Sequence, residues 1–133
     1  MNKRYLKKII ANDDEGLRVI SAHCYKAKVR IGEIKFLKKN KLFIIFLKRF
    51  LREVDKTEQL TPSVCKFEFV DKVKSKNINQ NEKDLELELL TIDVLKYNNS
   101  YEINLFFSNN ANITLTTEII EATLEDQNEN KNN

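Results

Sequence analysis

The chain has 133 residues, of which 41% are hydrophobic and 32% charged, and its formal net charge is +3. This size and composition fit one folded domain, expected over residues 1–126 and followed by a disordered polar tail over residues 127–133. The longest apolar run has six residues, 42–47, and the run after the basic N-terminus is too short for a secretion signal. A membrane span and a secretion signal are therefore excluded, and we expect a cytoplasmic protein.

Only one segment has the periodicity of a helix. After a short strand over residues 5–11, Asn12 is predicted as the helix N-cap, because the acidic residues that follow it complement the helix dipole in the first turn. The apolar positions have helical spacing and are Leu17, Ile20 and Cys24. We expect this helix to end near Tyr25 or Lys26.

The rest of the chain alternates with the period of two that is typical of strands. The parity of the apolar positions changes at Gly32, which predicts a break in the strand. Residues 42–47 are apolar at every position and predict a central strand covered on both faces. A connector is predicted over residues 51–63, where the only proline, Pro62, occurs.

Further alternating segments are residues 65–73, 85–94, 101–107 and 113–115. Residues 119–126 could form a strand or a short helix, and their alternation favours a strand. The sequence therefore predicts an α+β fold. One N-terminal helix packs on a mostly antiparallel, curled β-sheet of about seven or eight strands, arranged as a sandwich or a partly open barrel.

Several stretches of the sequence are similar to one known family. They are residues 6–11, 17–23, 27–34, 49–50, 67, 70–73, 75, 78 and 118–126, of which Ser21-Ala22-His23 and Ile120-Glu121-Ala122 are the most distinctive. On these residues the chain resembles the bacterial, chiefly alphaproteobacterial, domain-of-unknown-function family 2948. The resemblance implies a small, single-domain cytoplasmic protein with no assigned activity, and it supplies no catalytic residues.

His23 is the only histidine and lies in one of these distinctive motifs, so it is the candidate for an acid, a base or a ligand. The alternative is a packing or surface histidine beside the apolar helix stripe. Cys24 and Cys65 form no C-x-x-C unit, and one histidine does not complete a four-ligand zinc site with them. We expect no metal, no cofactor and two reduced structural thiols.

Charge is distributed unevenly along the chain. Residues 1–52 hold 15 Lys and Arg against 4 Asp and Glu, whereas residues 53–133 hold 8 against 16. The candidate basic surface consists of Lys28, Arg30, Lys35, Lys38, Lys39, Lys41, Lys48, Arg49 and Arg52. If their strands are neighbours, these residues would together attract an anionic partner. The alternative is that they keep the apolar strand over residues 42–47 soluble.

Three functions remain open from the sequence. We favour a non-catalytic module that binds another protein, and the sequence does not identify this partner. An RNA- or DNA-binding accessory factor would use the basic N-terminal half. A small-ligand protein or an enzyme would be centred on His23.

Overall fold

The computed structural model describes residues 6–51 and 59–128. Within these ranges the chain forms one α-helix and ten strands. In chain order they are β1 (Lys8–Ala11), α1 (Asp14–His23), β2 (Ala27–Arg30), β3 (Ile34–Leu37), β4 (Leu42–Phe50), β5 (Leu60–Phe67), β6 (Val70–Lys76), β7 (Glu86–Tyr97), β8 (Ser100–Phe107), β9 (Asn112–Thr117) and β10 (Ala122–Asp126). Arg52, most of the predicted connector and residues 129–133 of the predicted tail lie outside the described residues.

Helix α1 begins one residue later than predicted. Asp13 is the N-cap, because its Oδ1 atom accepts a hydrogen bond from the backbone N–H of Gly16 at 2.8 Å. The assignment of the cap to Asn12 is wrong because Asn and Asp cap helices equally well, and sequence alone does not choose between neighbours. The predicted stripe of Leu17, Ile20 and Cys24 is buried, as expected.

The strands form one antiparallel sheet in the order β1-β10-β5-β4-β2-β7-β8-β9-β6, and β3 also pairs with β4. β5 is third in this order of nine strands and β6 is last, yet only Glu68 and Phe69 separate them in the chain. The sheet must therefore curl until its two halves face each other. The predicted α+β fold, with one helix on a curled antiparallel sheet, is confirmed.

The number of strands exceeds the predicted seven or eight because two predicted strands are interrupted. A 3-10 turn over Ile31–Glu33 separates β2 from β3, at the break expected from Gly32. Phe69 separates β5 from β6 with a φ of +60°, and its side chain is 40% exposed. This turn carries the chain from one half of the sheet to the other.

The two halves of the sheet enclose a single hydrophobic core. Its largest fully buried apolar side chains are Phe43, Phe67, Leu17, Ile20, Ile45, Leu87, Leu89, Ile103, Leu105, Leu115 and Leu124. β4 is a central strand, paired with β5 on one side and with β2 and β3 on the other. It is not covered on both faces, however, because the outward-facing Phe46 is 39% exposed. Pro62 lies inside β5 and not in the connector.

The polar end of the core is a buried ion pair. Arg49 is 1% exposed and donates to Asp126 twice, from Nε to Oδ1 at 2.8 Å and from Nη2 to Oδ2 at 2.9 Å. The Ser63 hydroxyl also donates to Oδ1 at 2.8 Å, and the backbone N–H of Lys7 donates to Oδ2 at 3.0 Å. The pair therefore joins β4, β5, β10 and the residue before β1.

This burial corrects one sequence prediction. Arg49 was assigned to the basic surface, but it has the same parity as Phe43, Ile45 and Leu47 and points inward with them. A charged group at such a position is tolerated only when it is paired and hydrogen-bonded. Asp126 supplies the pairing from 77 residues further along the chain.

The pKa of Asp126 reflects this environment. Burial raises the pKa of the carboxyl group. The hydrogen bonds from Arg49, Ser63 and Lys7 and the charge of Arg49 have the opposite effect. They outweigh burial and lower the pKa from 3.8 to about 2. Between these two pH values the unfolded chain binds more protons than the folded chain. Stability from this group is thus complete above pH 3.8 and is lost as the pH falls toward about 2.

We predict that Asp126→Asn lowers the free energy of unfolding by about 3–5 kcal/mol at pH 7, because it leaves the Arg49 charge buried without its counter-ion. Urea unfolding followed by circular dichroism measures this change. The difference in stability between the wild type and the variant should shrink by about 2 kcal/mol on acidification from pH 5 to pH 2.

The matched control is Asp14→Asn, which removes an exposed ion pair with Arg18 (3.5 Å). It should cost no more than about 0.5 kcal/mol. An Asp126→Asn variant as stable as the control would show that the buried pair does not hold the strands together.

Candidate functional site

Three of the predicted basic residues converge on the outer face of the sheet, where β2 and β4 meet. Lys28 lies directly opposite Lys48 across the two strands, and Arg30 follows on the outward parity of β2. All three line a groove of about 290 Å³. Strands β2 and β4 therefore bring these three basic residues together.

The charge of this cluster is partly compensated. The Lys28 ammonium donates to Glu88 Oε2 at 2.7 Å and lies 5.9 Å from the centre of the Phe50 ring. The hydrogen bond and the charge of Lys28 lower the pKa of the Glu88 carboxyl group. Glu33 and Glu86 also line the groove. The groove therefore carries charges of both signs.

The other candidates lie elsewhere. Lys38 and Lys39 are in the exposed turn Lys38–Asn40, and Lys41 follows it and pairs with Asp71 at 3.0 Å. Lys35 is outward-facing on β3, opposite Ile44. The eight candidates that the structure describes therefore do not form one surface, and one of them, Arg49, is buried. Arg52 lies outside the described residues.

The groove also has apolar walls that sequence reasoning missed. Phe46, Pro62 and Val64 line it, and the strand register places Phe46 opposite Val64 and Lys48 opposite Pro62. We call the outward-facing residues Ile44, Phe46, Pro62 and Val64 the β4–β5 face. The sequence contained an indication of this face, because Phe46 and the charged Lys48 are two residues apart and therefore point to the same side of a strand.

Lysines border the β4–β5 face at its other end. Ile44 lies between Lys35 on β3 and Lys66 on β5, opposite both in the strand register. Lys66 is in turn opposite Thr123 on β10. The face is thus an apolar strip with cationic side chains at both ends.

The Ser21-Ala22-His23 motif has a structural explanation. The Ser21 hydroxyl oxygen accepts a hydrogen bond from the backbone N–H of Ile92 at 3.0 Å and lies 3.4 Å from the hydroxyl of Thr91. The pairing of β7 with β8 shifts register between Leu89 and Thr91. Ser21 therefore attaches helix α1 to the β-bulge of β7.

His23 lies at the end of helix α1. Its Nδ1–H donates to the carbonyl of Val19 at 2.9 Å, within the last turn of the helix. His23 lines neither the groove at Phe46 nor the two other cavities described for this chain. Any chemical role of His23 stays a prediction.

The two cysteines are free and buried in the core. Burial raises the pKa of the Cys24 thiol to about 12, and the charges of Arg49 and Asp126 act on it in opposite directions. Burial also raises the pKa of Cys65. Both thiols are therefore protonated at neutral pH and are poor nucleophiles and ligands.

Within residues 6–51 and 59–128, no group of three or more His, Cys, Asp or Glu side chains is placed to hold a metal ion. In the same residues, no helix combines the length and apolarity needed to cross a membrane.

We predict that Ser21→Ala lowers the free energy of unfolding by about 1–2 kcal/mol, because the N–H of Ile92 loses its acceptor at the bulge. His23→Gln should change it by no more than about 0.5 kcal/mol, since the ring bonds only within its own helix. Chemical denaturation of both variants measures the two values. Equal effects would contradict the assignment of the motif to the attachment of the helix.

Comparison with known proteins gives one family. A family model described as "Protein of unknown function (DUF2948)" matches residues 7–133. No curated protein and no solved structure matches the chain. Because the match covers almost the whole chain, the protein belongs to the DUF2948 family of proteins of unknown function.

Proposed function

We propose that this protein is a non-catalytic module that binds another protein through the β4–β5 face. The observation that carries the proposal is the exposure of Phe46. It is 39% exposed in the middle of a strand that is paired on both sides. Beside Phe46, Ile44 and Pro62 are partly exposed and Val64 is 8% exposed, and an exposed apolar side chain among apolar neighbours with charged groups at the border is typical of protein interfaces.

The shape of the face suits one anchoring side chain. The groove beside Phe46 has a volume of about 290 Å³ and includes Pro62 and Val64 in its lining. An apolar or aromatic side chain of the partner would be desolvated there, as at the hot spots of known interfaces. β4 and β5 are both central strands, so the face is rigid and needs little ordering on binding.

The charges around the face define the chemistry of the partner. Arg30 and Lys48 line the groove, and Lys35 and Lys66 border the other end of the face. Acidic groups beside an apolar anchor would complement these cations and direct the approach of the partner. We therefore expect a partner surface with an exposed apolar side chain and flanking Asp or Glu residues.

A nucleic acid fits this face less well. Glu33 and Glu86 line the same groove and would repel a phosphate backbone. Lys28 is already paired with Glu88, and Lys41 with Asp71. Strong nucleic-acid binding depends on many uncompensated cations along one track, whereas mixed charges around an apolar centre suit a protein.

The test begins with affinity capture of the tagged protein and identification of a partner that is recovered repeatedly. Its dissociation constant is then measured with both proteins purified. Phe46→Asp should weaken binding at least tenfold, because it places a carboxylate in the apolar centre of the face. Lys48→Glu should weaken binding mainly through the association rate, and less so at high salt.

The chain offers a matched control in Phe106→Asp. Phe106 is 37% exposed on the outward side of β8, in the other half of the sheet, so the substitution is equally polar at equal exposure. It should leave the dissociation constant unchanged. Melting temperatures of both variants separate a loss of binding from a loss of folding.

Two outcomes would overturn the proposal. In one, Phe46→Asp and Phe106→Asp weaken the purified complex equally. In the other, the protein binds mixed RNA with a steep salt dependence that a Lys38, Lys39 and Lys41 triple alanine variant reduces. The second result would assign the protein to the nucleic-acid alternative.

A further inference from the structure

We propose that the cavity between β3 and β6 binds an amphipathic carboxylate, a molecule with one carboxylate group and an apolar body such as an alkyl chain. The cavity has a volume of about 430 Å³. Its lining shares no residue with the groove at Phe46. The proposal is therefore independent of the proposed function.

The cavity lies at the opening that the curled sheet leaves. β3 pairs with β4 and β6 pairs with β9, and within the described residues neither strand has a partner on its other side. The inward-facing side chains Ile34, Phe36 and Val73 from these two strands line the cavity. All three are only partly buried, although they belong to the inner surface of the sheet.

Both ends of the opening are closed by hydrogen bonds. At one end the backbone N–H of Val70, at the start of β6, donates to the carbonyl of Lys41 at 2.9 Å. At the other end the N–H of Gly32 donates to the carbonyl of Lys83 at 2.9 Å, and that of Ile31 to Leu85 at 3.0 Å. The opening is thus a bounded window and not a continuous groove.

Gly32 allows a close approach of two segments at this closed end. A Cβ atom on Gly32 would lie 3.1 Å from the Cβ atom and 3.2 Å from the carbonyl oxygen of Lys83. The absence of a side chain lets the loop after β6 approach the turn between β2 and β3. This contact positions Lys83 at the cavity, whose lining it joins.

The floor of the cavity is apolar and continuous with the core. Phe43 is 1% exposed and Ile113 is 2% exposed, and both line it. Ile31 and Ile78 complete the apolar lining. The volume falls in the range of small-molecule sites, which combine apolar walls with a few polar groups.

The polar groups of the lining are Ser75, Gln80 and Lys83. Within the described residues, no hydrogen bond or ion pair involves the Lys83 ammonium. Its acidic neighbours in the chain, Glu82 and Asp84, do not line the cavity. The lining therefore presents one cation, which is available to a carboxylate, and no anion.

Further cations surround the window. The Lys35 ammonium donates to the carbonyl of Gly32, a lining residue, at 3.4 Å. Exposed lysines also follow the outward parity of β6, beside the window; they are Lys72, Lys74 and Lys76. On β3, β6 and the turn before β3, four lysines outnumber two acidic residues, Asp71 and Glu33, and such an excess of positive charge attracts anionic ligands. The apolar floor of the cavity would bind an apolar body, and the lysines would bind a carboxylate. A molecule that carries both groups therefore fits the site.

A peptide strand is the less suitable occupant. An added strand would extend past both ends of a β-sheet edge, but the hydrogen bonds of Val70 and Gly32 close the window at both ends. β3 also offers an edge of only four residues. The lysines of β6 also oppose the addition of another strand, because charged side chains on an edge strand disfavour pairing.

The experiment is a titration of the full chain, labelled with ¹⁵N, with decanoate below its micelle concentration. We expect saturable shift changes concentrated at Val73, Ser75, Ile78 and Lys83. Decanol, which has a chain of the same length and no charge, should bind about tenfold more weakly, because it lacks the ion pair with Lys83. Acetate should not bind.

Two variants locate the site. Lys83→Gln should weaken decanoate binding about tenfold and leave decanol binding unchanged. Ser75→Trp should abolish binding of both by filling the window from an exposed position on β6. Lys8→Gln, which removes an equal charge from β1 at the far end of the strand order, is the matched control and should not alter binding.

The shift map of the wild type decides the matter even if Ser75→Trp does not fold. The absence of saturable shifts with decanoate would overturn the proposal, as would shifts centred on the groove at Phe46. Equal affinity for decanoate and decanol would also overturn it, because the carboxylate would then have no partner. An acidic peptide that displaces bound decanoate would identify a strand as the occupant and refute the small-molecule site.

Discussion

The ion pair between Arg49 and Asp126 is the interaction on which the rest of this structure depends. Both side chains lie on the inner face of the sheet and are almost completely buried. The bidentate contact and the hydrogen bonds from Ser63 and Lys7 satisfy the carboxylate. Breaking such a pair is far more damaging than replacing it with apolar groups, because a lone buried charge remains.

The same pair determines which residues the protein presents to solvent. It spans β4, β5 and β10, so it resists a change in the register of any of them. A shift of one residue along β4 would turn Arg49 outward and Phe46 inward. The ion pair, together with the buried Phe43, Ile45 and Leu47, therefore keeps Phe46 on the outer face of the sheet.

The two outer faces of the sheet have different chemistry. In the half formed by β3, β4 and β5, apolar side chains lie between lysines. In the half formed by β8 and β9, the outward side chains other than Phe106 are mostly polar, and two of them are joined by the 2.7 Å hydrogen bond from Thr114 to Asn104. This difference favours one side of the molecule for a partner, and the curl of the sheet leaves a separate window between β3 and β6.

The amino-acid sequence by itself determined the local elements. The stripe of Leu17, Ile20 and Cys24 indicated the buried side of the helix, and alternation indicated the strands and the break at Gly32. The alternation of residues 42–50 also places Arg49 on the inner face and Phe46 on the outer face of the sheet. This alternation is hard to recognise in the sequence, because residues 42–47 are all apolar. These features are local because they depend on the periods of helix and strand.

Only the tertiary structure decided which distant residues meet. The pairing of Arg49 with Asp126, the attachment of Ser21 to the bulge of β7 and the contact of Gly32 with Lys83 each join separate segments. No local period encodes such contacts, because they depend on strand order and register across the whole sheet. For the same reason the charge asymmetry of the sequence could not show that its basic residues divide between a buried pair, a mixed groove and the surroundings of the window.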